Sequence, residues 1–118
     1  MLSFKHRFHG HSSLRYVYKH GAAHRSRLVT LKYSRNPRRK HSRVAVVISK
    51  KVLKSAVGRN RVRRRVYEII RHRLQHVVYP TDIVLLVFSS EVSTMPHQDL
   101  EAVIDQLLGE VDTYQKPR

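Results

Sequence analysis

Residues Val57 to Glu68 read VGRNRVRRRVYE, five arginines and one glutamate with valines set among them. At 100° per residue, Val62, Val66, Ile69 and Ile70 fall on one side of a helix, at i, i+4, i+7 and i+8. Asn60, Arg64 and Arg71 fall opposite, flanked by Arg61, Arg65 and Glu68. The spacing predicts an amphipathic helix from about Ala56 to Gln75 that docks on other structure by its apolar stripe. Its polar face makes a poor solvated surface. Exposed helices gain from opposite charges at i,i+4 and lose from like ones, yet Arg59, Arg61, Arg63, Arg64 and Arg65 have one carboxylate near them. A guanidinium is a planar fork suited to bidentate phosphate contacts. The segment therefore reads as a phosphate-binding helix.

The elements around it supply the surface on which it docks. Before it, RVAVVISK (Arg43 to Lys50) is β-branched and predicts a buried strand, joined to the helix by the loop from Lys50 to Ser55. RLVTLKY (Arg27 to Tyr33) alternates as a strand, and SRNPRRKHS then breaks it with a proline and a charge cluster. Ser12 or Ser13 caps a short helix through His20, with Leu14, Val17 and Tyr18 on one face and Gly21 placed to end it. After the arginine helix, TDIVLLVFS (Thr81 to Ser89) predicts a third strand. A last amphipathic helix from Pro96 to about Asp112 turns Leu100, Val103, Ile104, Leu107, Leu108 and Val111 inward. The expected fold is α+β, in the order α-β-β-α-β-α, with helices packed on a small mixed sheet.

The 118 residues suit a single domain, residues 1–118, with a basic arm over residues 1–11 and a tail over 113–118 expected to be flexible. The net charge is +16, and it is unevenly spread: 20 of the 24 Lys and Arg residues precede Glu68, whereas all eight acids lie at or beyond it. Such asymmetry points to a polyanionic partner bound by the N-terminal two thirds. Cysteine is absent, which excludes disulfides and thiolate metal sites. The longest apolar run, Ile83 to Phe88, is too short for a membrane span, and no secretory signal is visible at the N-terminus, so a cytoplasmic protein is expected. His6, His9 and His11 lie on the basic arm without a nearby carboxylate to complete a metal site, and suit RNA-facing donors better. Tyr16, Tyr18 and Tyr33 lie near the sheet in sequence, where single-stranded bases could stack. A protein-based nuclease would need paired carboxylates for metal. Six of the eight acids fall between Glu91 and Asp112, where they suit the solvated side of the last helix.

SKKVLKSAVGRNRVRRRVYE (Ser49 to Glu68) resembles the signature of the bacterial ribonuclease P protein component. The matching residues are Ser49, Lys50, Lys51, Val52, Ala56, Val57, Arg59, Asn60, Arg61, Arg63, Arg64 and Glu68. LRYVYKHG resembles the family's first helix with its closing glycine, and TDIVLLVF its last strand. The resemblance implies a left-handed β-α-β crossover around the arginine helix, as in the second domain of ribosomal protein S5. It also implies a partner: a catalytic RNA that removes the 5′ leader from precursor tRNA using bound magnesium, so that the protein holds no catalytic residue. Lys50, Lys51, Lys54, Arg59, Asn60, Arg61, Arg63, Arg64 and Arg65 are the implied contacts to that RNA. Leu14 and Tyr18, with Lys32 or Tyr33, would line a cleft for the leader, and Glu68 is a candidate for placing a hydrated magnesium ion. Leu53, Gly58 and Tyr67 depart from the family's usual residues. The alternative is a ribosomal-protein-like binder of structured RNA that has no part in cleavage.

Overall fold

The computed structural model describes residues 6–8 and 12–115. Helix α1 (Ser12–His20) leads into strands β1 (Ala22–Arg25), β2 (Val29–Arg35) and β3 (Arg43–Ile48). Helix α2 (Ala56–Arg71), strand β4 (Thr81–Val87) and helix α3 (His97–Leu108) complete the chain. The sheet order is β1-β2-β4-β3, with β3 and β4 parallel and the other pairs antiparallel. The predicted elements are all present, and one is added. β1, AAHR, has no apolar alternation, and its pairing with β2 is what makes it a strand. Both long helices stop earlier than their apolar spacing suggests. The chain after α2 tightens into a 3-10 turn at Leu74–His76, and α3 ends at Gly109 while Val111 is still buried by the turn that follows.

Successive strand residues face opposite sides of a sheet. One face here carries Val29, Leu31, Val44, Val46, Ile48, Ile83, Leu85 and Val87, and meets Val62, Val66, Ile69 and Ile70 of α2 and Leu100, Ile104, Leu107 and Leu108 of α3 in one core cluster. Fully burying each such side chain contributes about 1.5–3 kcal/mol. On the opposite face α1 lies against β2 and β4, with Val17 and Val84 both fully buried. Gly21 sets that spacing: a Cβ there would stand 2.5 Å from the Val17 carbonyl oxygen and 2.8 Å from that of Tyr33. Only a residue without a side chain lets α1 approach β2 so closely.

The outer strand β3 is protected along its free edge. The Val46 N–H donates to the Tyr67 hydroxyl at 3.2 Å, and Arg7 forms a parallel bridge with Val44. The described part of the basic arm is therefore laid along β3, where His6 Nδ1 meets the Ser42 carbonyl at 2.8 Å. His9 and His11 lie outside the described residues. The expectation of a flexible tail from residue 113 is corrected for its first part: Thr113 is buried, its carbonyl accepts from Val78 N–H, and Tyr114 bridges Val77.

Leu53 and Gly58 turn out to be one feature. Ser55 caps α2, its Oγ accepting from the Gly58 N–H at 3.1 Å, and the Leu53 side chain folds over Gly58. A Cβ at position 58 would lie 2.9 Å from Leu53 Cδ2. Gly58→Ala should therefore be close to neutral, its gain in helix propensity of about 1 kcal/mol cancelled by displacing Leu53. In a Leu53→Ala background the same change should stabilise by most of that amount. A double-mutant cycle in urea would check this, and strict additivity would show that Leu53 is not the obstacle.

Candidate nucleic-acid interface

Two surfaces on opposite sides of the sheet carry the candidate residues singled out from the sequence. The first is built by the Ser49–Ser55 loop and the start of α2. Lys50, Lys51, Lys54, Asn60, Arg61 and Arg64 are all exposed there. Arg61 and Arg64 make no side-chain hydrogen bond or ion pair among the described residues, so their forks are available to phosphate. Val57 is 74% exposed and shares their face, at i, i+4 and i+7. It is the surface residue that reading the stripe missed, although the same helical wheel places it with the arginines rather than with Val62.

Three other arginines of the helix are partly committed. Arg59 Nη1 donates to the Leu53 and Lys54 carbonyls at 3.0 and 2.7 Å, which ties the loop to the helix. Arg63 donates to Asn60 Oδ1 at 2.9 Å. Arg65 was expected to face outward with Arg61 and Arg64. It instead donates to the Val92 and Met95 carbonyls at 2.8 and 2.6 Å, because the chain between β4 and α3 ends its turn beside that flank of the helix. Arg65 thus serves chiefly to fasten α2 to the following segment.

The acids explain why the rest of the protein is less basic than its composition. Asp82 takes Arg43, Glu91 takes Arg27 and Asp112 takes Arg35, while Glu101 and Asp105 share Arg73. Glu101 and Asp105 of α3 are therefore partners of arginine, whereas Asp99 lies on the solvated side as expected. A guanidinium between Glu101 and Asp105 also removes that carboxylate pair as a metal site. No group of three or more His, Asp or Glu residues with metal-binding geometry occurs among the described residues.

Glu68 stands at the far end of the arginine face. Its carboxylate accepts from Arg71 Nη2 at 2.7 Å and lies 3.2 Å from His72 Nε2. The hydrogen bond from Arg71, then that to His72, lowers its pKa to about 2. A carboxylate so engaged does not fit a direct ligand of magnesium, which requires near-ideal oxygen geometry. Because the folded value is depressed, any stability from this group is present above the ordinary carboxylate range and is lost as pH falls toward about 2. A side-chain carboxyl NMR titration should find Glu68 ionised throughout pH 3–4, where ordinary glutamates take up protons. A midpoint in the ordinary range would show that the Arg71 and His72 contacts do not persist in solution.

The second surface lies between α1 and the sheet face that β2 and β4 turn toward it. Lys32 lies on this face, its Nζ 3.1 Å from the Tyr18 carbonyl and 5.4 Å from the centre of the Tyr18 ring. Tyr33, one residue on, points to the opposite side, where it packs on the core and stacks against His24 at 5.5 Å. Of the two alternatives for the cleft, the strand register selects Lys32 and removes Tyr33. Leu14 and Tyr18 are both half-buried along α1. The floor is apolar, with Val84 buried and Ala45, Val47 and Leu86 half-buried, and Lys32 and Arg25 supply positive charge. Phe88, at the end of β4, is 58% exposed. A shallow apolar floor with cations beside it suits bases laid flat and a backbone held by charge.

Comparison with known proteins finds one family along most of the chain. The family pattern described as Ribonuclease P matches residues 2–112. The chain is 35% identical over 103 residues to the ribonuclease P protein component of Clostridioides difficile (strain 630), covering 86% of this chain and 87% of that one. It is 37% identical over 86 residues to the corresponding protein of Coxiella burnetii (strain Dugway 5J108-111), with 73% and 69% covered. The RNase P protein of Staphylococcus aureus superposes with a TM-score of 0.80 at 20% identity, covering 93% of this chain and 98% of that one. That of Thermotoga maritima gives 0.79 at 21%, with 90% and 97% covered. At those identities the structural likeness is one of fold.

Proposed function

This chain belongs to the ribonuclease P protein family, the protein component of an endoribonuclease whose catalytic role is held by RNA, and from that premise we propose a division of labour between its two surfaces. The loop and face of α2, with Lys50, Lys51, Lys54, Asn60, Arg61 and Arg64, bind the catalytic RNA. The cleft of α1 and the sheet, with Leu14, Tyr18 and Lys32, holds the single-stranded 5′ leader of precursor tRNA. The observation that carries this reading is the placement of the two surfaces on opposite sides of one sheet. A single small domain can then touch both RNAs at once and hold the leader in a fixed relation to the catalytic RNA.

Magnesium, which supplies the Lewis acid and the activated water of such a hydrolysis, is held in this scheme by the RNA. Glu68 is already bonded to Arg71 and His72 and is not one of its ligands. The protein's own contribution is to bring positive charge against two phosphate backbones and so to relieve their mutual repulsion. That should matter most at low magnesium, where fewer cations screen the RNA. No helix among the described residues is long and apolar enough to cross a membrane, and we place the work in the cytoplasm.

Reconstitution tests the proposal directly. Added to bacterial ribonuclease P RNA at low magnesium, the protein should stimulate 5′ cleavage of precursor tRNA, and alone it should cleave nothing. No stimulation over the RNA alone would remove the assignment, and cleavage by a nuclease-free preparation of the protein would return the chemistry to this chain.

A further inference from the structure

At the end of the sheet remote from the Ser49–Ser55 loop, a groove of about 660 Å³ opens between the start of α1 and the β2–β3 loop. Ser13 and Tyr16 form one side, Arg38 and Arg39 the other, and Ser34 and Asp82 its floor. Ser34 follows Lys32 by one pleat on β2, and Asp82 precedes Val84 by one pleat on β4. The groove is thus a continuation of the cleft along the same sheet face.

Its chemistry differs from that of the cleft. The Tyr16 ring is 56% exposed and, among the described aromatic groups, touches only the His20 ring, 4.8 Å away. Arg38 and Arg39 are exposed and make no side-chain hydrogen bond or ion pair among the described residues. The acid in the floor does not oppose an anion. Both Asp82 oxygens accept from Arg43, and Asn36 donates to one of them at 2.9 Å. Arg35 is spent on Asp112. What is left is an open aromatic face opposite two free guanidinium groups, the arrangement that stacks a base and grips its phosphates.

We infer that this groove is a second anchor for single-stranded RNA, taking leader nucleotides farther from the cleavage site than those in the cleft. The inference rests on the proposed binding of leader to the cleft. The direction follows from the two ends of the sheet: catalytic RNA docks at the Ser49–Ser55 end, so a leader crossing the cleft leaves at the β2–β3 end. Arg38 and Arg39 are then length sensors, engaged only by leaders that extend beyond the cleft.

The test uses the reconstituted holoenzyme and precursor tRNAs whose leaders grow one nucleotide at a time. For the unaltered protein, affinity should rise in two steps, the first as the cleft fills and the second as the groove does. The Tyr16→Ala/Arg38→Gln/Arg39→Gln variant should keep the first step and lose the second, about tenfold in affinity on the longest leaders. Its salt dependence on those leaders should flatten by about 1.4 in slope, for two phosphates of a single strand. If the triple variant melts early, Arg38→Gln/Arg39→Gln with Tyr16 kept reads the same step. Equal affinities of variant and unaltered protein at every length would overturn the inference and leave the cleft standing. Weaker binding to the catalytic RNA without precursor would overturn it by assigning the groove to that RNA. Length-independent affinity of the unaltered protein would instead remove the cleft reading itself.

Discussion

Replacing Asp82 with alanine should cost about 3–5 kcal/mol of stability, because it strands a buried guanidinium. Asp82 and Arg43 are 4% and 2% exposed and face each other across the parallel pair of β3 and β4. Two hydrogen bonds of 2.9 and 2.7 Å join them. Arg43 Nη1 is already buried without a hydrogen-bond partner among the described residues, although the Phe8 ring lies 4.7 Å from the guanidinium carbon. Removing the carboxylate would leave that charge with neither water nor counter-ion. Native domains of this kind are stable by about 5–15 kcal/mol in total, so the loss should bring the variant close to unfolding at 37 °C. The double change Arg43→Met/Asp82→Leu should cost much less, since no isolated charge is then buried. Urea denaturation of the three proteins decides it. A single-variant loss under about 1 kcal/mol would mean that water reaches the pair.

The largest effect on function is expected from Arg61→Ala/Arg64→Ala. Both side chains are exposed and free among the described residues, and both share one face of α2. Each charge-assisted hydrogen bond to phosphate contributes about 1.5–3 kcal/mol, so the pair should weaken binding to the catalytic RNA by at least about a hundredfold. The salt slope should fall by about 1.5, and the melting transition should stay where it is. Arg65→Ala supplies the contrast. Its guanidinium is bonded to the Val92 and Met95 carbonyls, so its loss should lower the melting temperature and change the salt slope far less. If Arg65→Ala weakened RNA binding as much as the exposed pair, without destabilising the protein, the division of the helix into gripping and fastening arginines would be wrong. Arg59 sits between the two cases: it holds the loop that presents Lys54, so replacing it should disturb RNA binding through the loop.

The parts of this molecule that sequence alone reveals are those written as a local period. The stripe of Val62, Val66, Ile69 and Ile70 was legible because a helix repeats every 3.6 residues, and each of these side chains is buried. The Arg-Asn-Arg segment was legible because its charges are too concentrated for an ordinary surface. β1 was not, since Ala22 to Arg25 owes its strand conformation to hydrogen bonds from β2 and shows no pattern of its own. The fastening of Arg65 was hidden for a different reason: its acceptors are backbone carbonyls, and carbonyls leave no trace in residue identity. Lys32 and Tyr33 could be separated only by the register of β2 on β4, because a slip of one residue exchanges the two faces. The Arg43–Asp82 pair joins residues 39 apart, which periodicity within either strand could not connect.

The hydroxyl of Tyr67 has a bearing on the protein before it meets any RNA. It occupies the Val46 N–H on the outer strand, and Arg7 bridges Val44 two residues away. A newly made copy, not yet neutralised by nucleic acid, therefore offers other chains no open row of donors along β3 on which a cross-β stack could start. Tyr67→Phe would reopen one donor while preserving the ring. The difference would be seen in the shelf life of concentrated free protein, where seeding into fibrils depends on such edges, rather than in any cleavage assay.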